Sequence, residues 1–573
     1  MVIEPQIPKA KRGSNSQVIL EHADKLTRTL NDEYMVVTGN VKFSKGPMLM
    51  FCDSAHYFPD LGSLDAFGNV HMEQGDTLFV YGDELNYNGP QEIAYLYADE
   101  MSQPVRLINR DVKLETDIFT YDLYREIGYY NTGGVLTDLH NRLTSTEGEY
   151  IPSTKEANFY SNVHLKSLRD NDTLDIYTDS LFYNTNTHIA DFNSYTQIFN
   201  RDGRIVSYDG SYNTNTEYAE LFGHSRVLTK RGTTLEGDTL FYDRKLGRGE
   251  AFGNMMLIDS VRQSTLSGDY GYYDQIVDSA YVTGRAMAME YSRGDTLYMH
   301  GRYITSVITV DTIKQPGIAD SIAVMVPDTT HIINCWPRVR FYRTDLQGLC
   351  DSLAFVERDS ILHMHRNPIV WSENRQIFGN LINVHLNDST VDLVHLPDFA
   401  FSAQEIEPDY YNQLSGKEML AHIDNGTLRR LDVNGNVEAI FFPEENDSTI
   451  NKMVNVESSF MTADFKDGKL TRMKMWPASN GKATPLYLAK RSMLYLPKFK
   501  WYGTLRPKDP DDIFVIPEEM EELMNSTPGG ALPKAEAAID EVIAASPTDD
   551  SEATQPESMP QSLNTTANED TDN

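Results

Sequence analysis

A strand-length alternation that returns about every thirty residues constrains this chain more than any other feature. In its first copy Val37, Gly39, Val41 and Phe43 share one parity while Thr38, Asn40, Lys42 and Ser44 take the other, which is the period of a strand with one buried face. Leu64, Ala66, Gly68, Val70 and Met72 repeat it. Between the two lies a third run, Leu49, Phe51, Asp53, Ala55 and Tyr57, bounded by Lys45-Gly46-Pro47 and Pro59-Asp60-Leu61-Gly62, which carry turn chemistry. The unit reads strand, turn, strand, turn, strand.

Two marks set its register. The first is an Asp followed two residues later by a small or apolar residue and four later by Tyr: Asp53/Ala55/Tyr57, Asp83/Leu85/Tyr87, Asp117/Phe119/Tyr121, Asp179/Leu181/Tyr183, Asp238/Leu240/Tyr242 and Asp269/Gly271/Tyr273. Asp209 sits where another is due, with Tyr212 one position early. Successive marks lie 30, 34, 62, 30, 29 and 31 residues apart, and the doubled gap holds a degenerate copy around Glu147 to Tyr150. The second mark is a mid-strand Gly, as in Gly39-Asn40, Gly68-Asn69, Gly223-His224, Gly253-Asn254, Gly284-Arg285 and Gly435-Asn436. Gly inside a strand signals a bulge or a close backbone approach, so the pattern predicts sharply bent strands. The Asp ladder has two readings, carboxylates lining a channel or binding cations, and strand-edge residues satisfying turn amides. One Asp per repeat favours the second.

Composition narrows the function classes. The 573 residues have room for more than one core, and 32 Tyr and 24 Phe favour an all-β chain. A net charge of −34 speaks against a nucleic-acid binder, which needs clustered cations. From Arg506 to Asn573 there are 3 basic and 17 acidic residues, so the remainder still carries about −20. Ligands are therefore expected on apolar surface. No run of about eighteen apolar residues is present, so no transmembrane segment is expected. Cys52, Cys335 and Cys350 read as buried small hydrophobes, with a Cys335 to Cys350 bridge left open. The opening MVIEPQIPKAKRG lacks the apolar core of a signal peptide, which implies either a cytosolic protein or a leader replaced by a start Met.

Along the chain, residues 1–17 read as a flexible lead-in, 18–310 as the repeats, 311–331 as a linker or insertion where alternation lapses, and 332–505 as a second repeat region. Residues 506–573 form an acidic tail of disordered composition, with short helices expected at Glu518–Met524 and Ala535–Ala545. Catalytic and phosphate-cradling motifs are missing. His363 and His365, near Glu357 and Asp359, have metal-like spacing but no convincing third ligand. No catalytic residue, metal or cofactor is expected.

The recurring Thr-Gly-Asn-Val, Cys-Asp-Ser-Ala-x-Tyr, Ala-Phe-Gly-Asn-Val, Gly-Asp-Thr-Leu and Gly-Asp-x-Leu-x-Tyr phrases resemble the OstA-like proteins, the domain family of the periplasmic lipopolysaccharide-transport bridge LptA. The resemblance runs from about Glu33 to Arg302, more weakly from Val339 to Phe442, and is to the large multi-repeat members of Bacteroidota. It implies an elongated antiparallel β-jellyroll, a sheet folded over an apolar groove. It also implies a non-enzymatic periplasmic carrier, associated with the outer membrane, that holds lipid A acyl chains and pairs its edge strands with partner jellyrolls. By parity the lipid-facing candidates are Val41, Phe43, Phe51, Tyr57, Val70, Met72, Phe79, Tyr81, Leu85 and Tyr87. The same residues packed into a dry core suit an adhesive or structural repeat protein. A carbohydrate-active enzyme on a β-solenoid is the third reading and needs a carboxylate cluster on one strand face.

Overall fold

Paired left-handed residues in the middle of a strand decide the architecture. Gly68 and Asn69 have φ of 76° and 44°, and Gly253 and Asn254 have 70° and 47°. Such a pair interrupts the ladder, so Ser63–Gln74 pairs with Met48–Phe58 on both sides of a register shift between Phe51 and Ser54. On the neighbouring strand the Asp of the first mark closes the corner. Asn69 Nδ2 donates to Asp53 Oδ2 at 2.7 Å, and Asn254 Nδ2 to Asp238 Oδ2 at 2.7 Å. Both Asp residues are exposed, so they do not line the interior, but they sit mid-strand and accept from the bend's Asn side chain instead of capping turn amides at a strand edge. A Cβ at Gly68 would lie 2.6 Å from Asp53 Oδ2, so glycine is needed there for space as well as for φ.

Beyond the bend the two halves of a strand part company. In Leu78–Asn88, residues 84–88 pair with Ile93–Tyr97 while residues 78–81 pair with Val105–Asn109. The first ladder continues to Ile118–Asp122 and the second to Val112–Thr116. Each long strand thus gives one half to each of two sheets, and the fold is an all-β antiparallel jellyroll with 44 strands among the described residues. The thirty-residue repeat is two such bent strands and their turns. The computed structural model describes residues 17–28, 33–99, 103–167, 174–292, 294–315, 324–387, 391–424, 426–443, 449–466, 469–477 and 479–525.

The core lies between the sheets. Val37, Phe43, Ala55, Leu64, Met72 and Val80 have no exposed surface. Each buried Val, Leu, Met or Phe is worth about 1.5–3 kcal/mol, so stability accrues strand by strand as in a solenoid. The interval 311–331 falls on two strands that pair antiparallel, Tyr303–Gln315 with Val324–Trp336, and residues 316–323 lie outside the described residues. Cys52, Cys335 and Cys350 are buried and free, so the bridge left open by spacing does not form. Burial pushes the Cys52 thiol up to about 12.

Beyond Val339 the same ladders acquire a cover. Residues 486–525 cross the outer face of the second sheet, and Leu496, Tyr502, Leu505 and Met520 pack there with Trp371, Phe378, Phe401 and Phe442. Ordered structure therefore continues past Arg506, where the sequence placed the start of the tail, to a helix at Glu518–Asn525. Its first turn carries Glu518, Glu519 and Glu521, which suit the positive end of a helix dipole. The expected helix at Ala535–Ala545 and the rest of the acidic tail lie outside the described residues.

Candidate functional site

The jellyroll interior receives most of the lipid-facing candidates. Val41, Phe43, Val70, Met72, Leu85 and Tyr87 are buried between the sheets, and Tyr57 packs partly buried against them. Phe51, Phe79 and Tyr81 are not buried. In Met48–Phe58 the inward residues are Met48, Met50 and Cys52, and then Ala55, because the extra residue at the bend resets parity. Phe51 instead stacks on His71 at 4.5 Å, His71 on Tyr81 at 5.8 Å, and Lys42 and Arg106 cover the two ends of this row. That row belongs to the outer face.

The side opposite the bends is closed by turns rather than by continuous strands. There the turns that end one sheet meet the turns that end the other, and polar groups join them. Lys45 Nζ lies 2.8 Å from Glu92 Oε1, Gln74 Nε2 donates to Glu126 Oε1 at 2.8 Å, and Lys155 Nζ lies 3.3 Å from Asp111 Oδ1. Tyr183 donates to Asp138 Oδ2 at 2.7 Å, Arg244 Nε lies 3.2 Å from Asp202, and Arg262 Nη2 lies 3.0 Å from Asp278. Burial opposes the charge on Lys45, but its hydrogen bonds to Glu92 and Tyr87 outweigh this and hold the ammonium above its ordinary range. Burial likewise opposes charge on Asp259, while backbone and side-chain bonds from Arg262 hold its carboxyl below the usual range. Sequence reading missed these lips because each partner is an ordinary residue in or beside a turn and the members of all but the Arg262–Asp278 pair lie 42 to 52 residues apart.

The two ends of the array expose strand edges. Ile19–His22 and Lys25–Thr27 pair on one side only, with Met35–Lys45, and Lys469–Trp476 and Asn480–Pro485 only with Lys452–Lys466, among the described residues. His363 Nδ1 is 2.8 Å from Asn383 Oδ1, and among the described residues no three metal-ligating side chains converge.

Residues 15–171, the first bent strands and the start of the split ladders, match the family described as OstA-like protein. Residues 129–230 match the family described as lipopolysaccharide-assembly, LptC-related. Over these stretches the chain is similar to both families. Members of these two families are non-enzymatic proteins of lipopolysaccharide transport in the periplasm. No curated protein matches the chain. Among its described residues no helix is long and apolar enough to cross a membrane.

Proposed function

We propose that this chain holds the acyl chains of lipopolysaccharide between its two sheets and hands them to partner jellyrolls that pair with its end strands, bridging inner- and outer-membrane components. The observation that carries this reading is the contrast between an apolar interior and a polar seam. Apart from the buried Tyr183–Asp138 bond, the lip pairs are part-exposed and worth roughly 1 kcal/mol or less, so most of the seam can part without dismantling the bends on the other side. An acyl chain entering the gap replaces core contacts at roughly 0.8 kcal/mol per methylene. Phosphates of the headgroup stay outside with the lips, which suits a trough that offers them no cationic floor. Unpaired end strands present main-chain donors and acceptors to a partner of the same fold.

A photocrosslinking amino acid at Val70 or Leu85 is expected to capture lipopolysaccharide, and one at Phe79 or Tyr81 is not. The pair Lys45→Cys with Glu92→Cys, oxidised across the lips, is expected to lower capture at Val70, and reduction to restore it. Equal capture at inner and outer positions, or none from gently purified protein, would remove the cargo reading and leave a dry structural repeat protein.

A further inference from the structure

Charge in this chain is segregated. Against a net charge of −34, residues 466–508 hold 11 basic side chains and 1 acidic one, and residues 486–508 hold 6 basic and none acidic. That second stretch is the part of the cover that crosses the outer face of the second sheet, and it is fastened there by its main chain. Gln376, fully buried, donates from Nε2 to Lys500 O at 2.9 Å and accepts at Oε1 from Tyr502 N at 2.8 Å. Gln413 repeats the clamp one step earlier, donating to Leu494 O at 2.8 Å and accepting from Leu496 N at 2.8 Å. Arg340 donates to the carbonyls of Leu505 and Asp512 at 3.1 and 2.8 Å. Each glutamine amide does what a neighbouring strand would do. Because the backbone is engaged by the sheet, many of the side chains of the strap point away from it.

What they present is mixed. Lys490, Arg491, Lys498 and Lys500 are exposed, and Tyr487 and Leu488, in the turn where the strap leaves the last strand, are 85% and 60% exposed. Lys498 Nζ lies 4.1 Å from the Phe399 ring centroid and Lys500 Nζ 4.7 Å from that of Tyr502, so both ammonium groups are held against aromatic faces. Arg491 is 3.7 Å from Asp409, with both side chains largely in solvent, which leaves the pair weak.

We propose that the strap is a docking surface for a bilayer that carries anionic phosphate headgroups. Clustered cations supply attraction to such a surface, and adjoining exposed Tyr and Leu suit the boundary between headgroups and acyl chains. The acidic remainder of the protein does not cancel this, because charges more than about 8–10 Å away are screened at ordinary salt. The proposal goes beyond cargo binding and does not depend on it.

The test is flotation of the full chain with phosphatidylcholine vesicles, with and without about 30% phosphatidylglycerol. The expected result is binding to the anionic vesicles alone, with a loss of about tenfold between about 0.05 and 0.5 M salt. The variant Lys490→Gln/Arg491→Gln/Lys498→Gln/Lys500→Gln is expected to lose binding about tenfold with an unchanged β-sheet circular dichroism signal. A matched variant of exposed cations elsewhere, Lys25→Gln/Lys166→Gln/Lys230→Gln/Arg429→Gln, is expected to keep it. Binding that is absent, or that survives the strap variant, overturns the proposal. So does self-association without vesicles that the strap variant abolishes, which would make a second copy the partner.

Discussion

The early and late parts of the array use the same bent strands but present different outer faces. Asn141–Ser145 buries alternate residues, whereas Leu346–Cys350 buries all five. The inner face is equivalent in both. On the outer face, the early region carries the open row Lys42, Phe51, His71, Tyr81 and Arg106, and the late region carries Gln347, Gln376 and Gln413 beneath a strap. A period of two therefore reports how a sheet is covered, and it lapses where a second layer arrives.

Trp371→Ala should separate the two regions most sharply. Its ring is buried only because the strap lies over it, and its removal should cost about 3–5 kcal/mol, seen as loss of amide-exchange protection from Val339 onward with the early strands unchanged. Gly253→Val tests a feature of the early array, with φ of 70° and a Cβ 2.8 Å from Asp238 Oδ2. It should cost about 3 kcal/mol and raise exchange locally, between Thr233 and Asp274. Gln376→Ala leaves the Tyr502 amide and the Lys500 carbonyl without their partner and should cost about 2 kcal/mol, with faster proteolysis of the strap in limited digestion. The smallest effect is on pH. Burial lowers the His300 pKa below its ordinary 6.5, and the ring packs on Phe514 of the cover. The unfolded chain then takes up the proton first, so stability present above about 6.5 is lost as pH falls through the folded value. Melting of the late region should drop on acidification, and His300→Gln should flatten that dependence.

Much of the early region is legible because its rules are local. Alternation, turn chemistry and the Gly-Asn bends each occupy a few residues, and together they give the bent strands and their repeat, while the jellyroll was implied by the family resemblance. Phe51, Phe79 and Tyr81 were misplaced because the bend adds a residue, and parity counted through it inverts. The strap was not legible. Gln376 meets Lys500 across 124 residues, and nothing near either announces the other. Ile369-Val370-Trp371, apolar on both parities, was the available sign that something covers that sheet.

The offset between lip partners has a mechanical consequence. A turn such as that of Lys45 is tied to one 47 residues further on, past several intervening strands, so no single tooth of the seam can let go without loading those beside it. A guest between the layers would advance as a travelling blister whose leading edge unfastens while its trailing edge recloses.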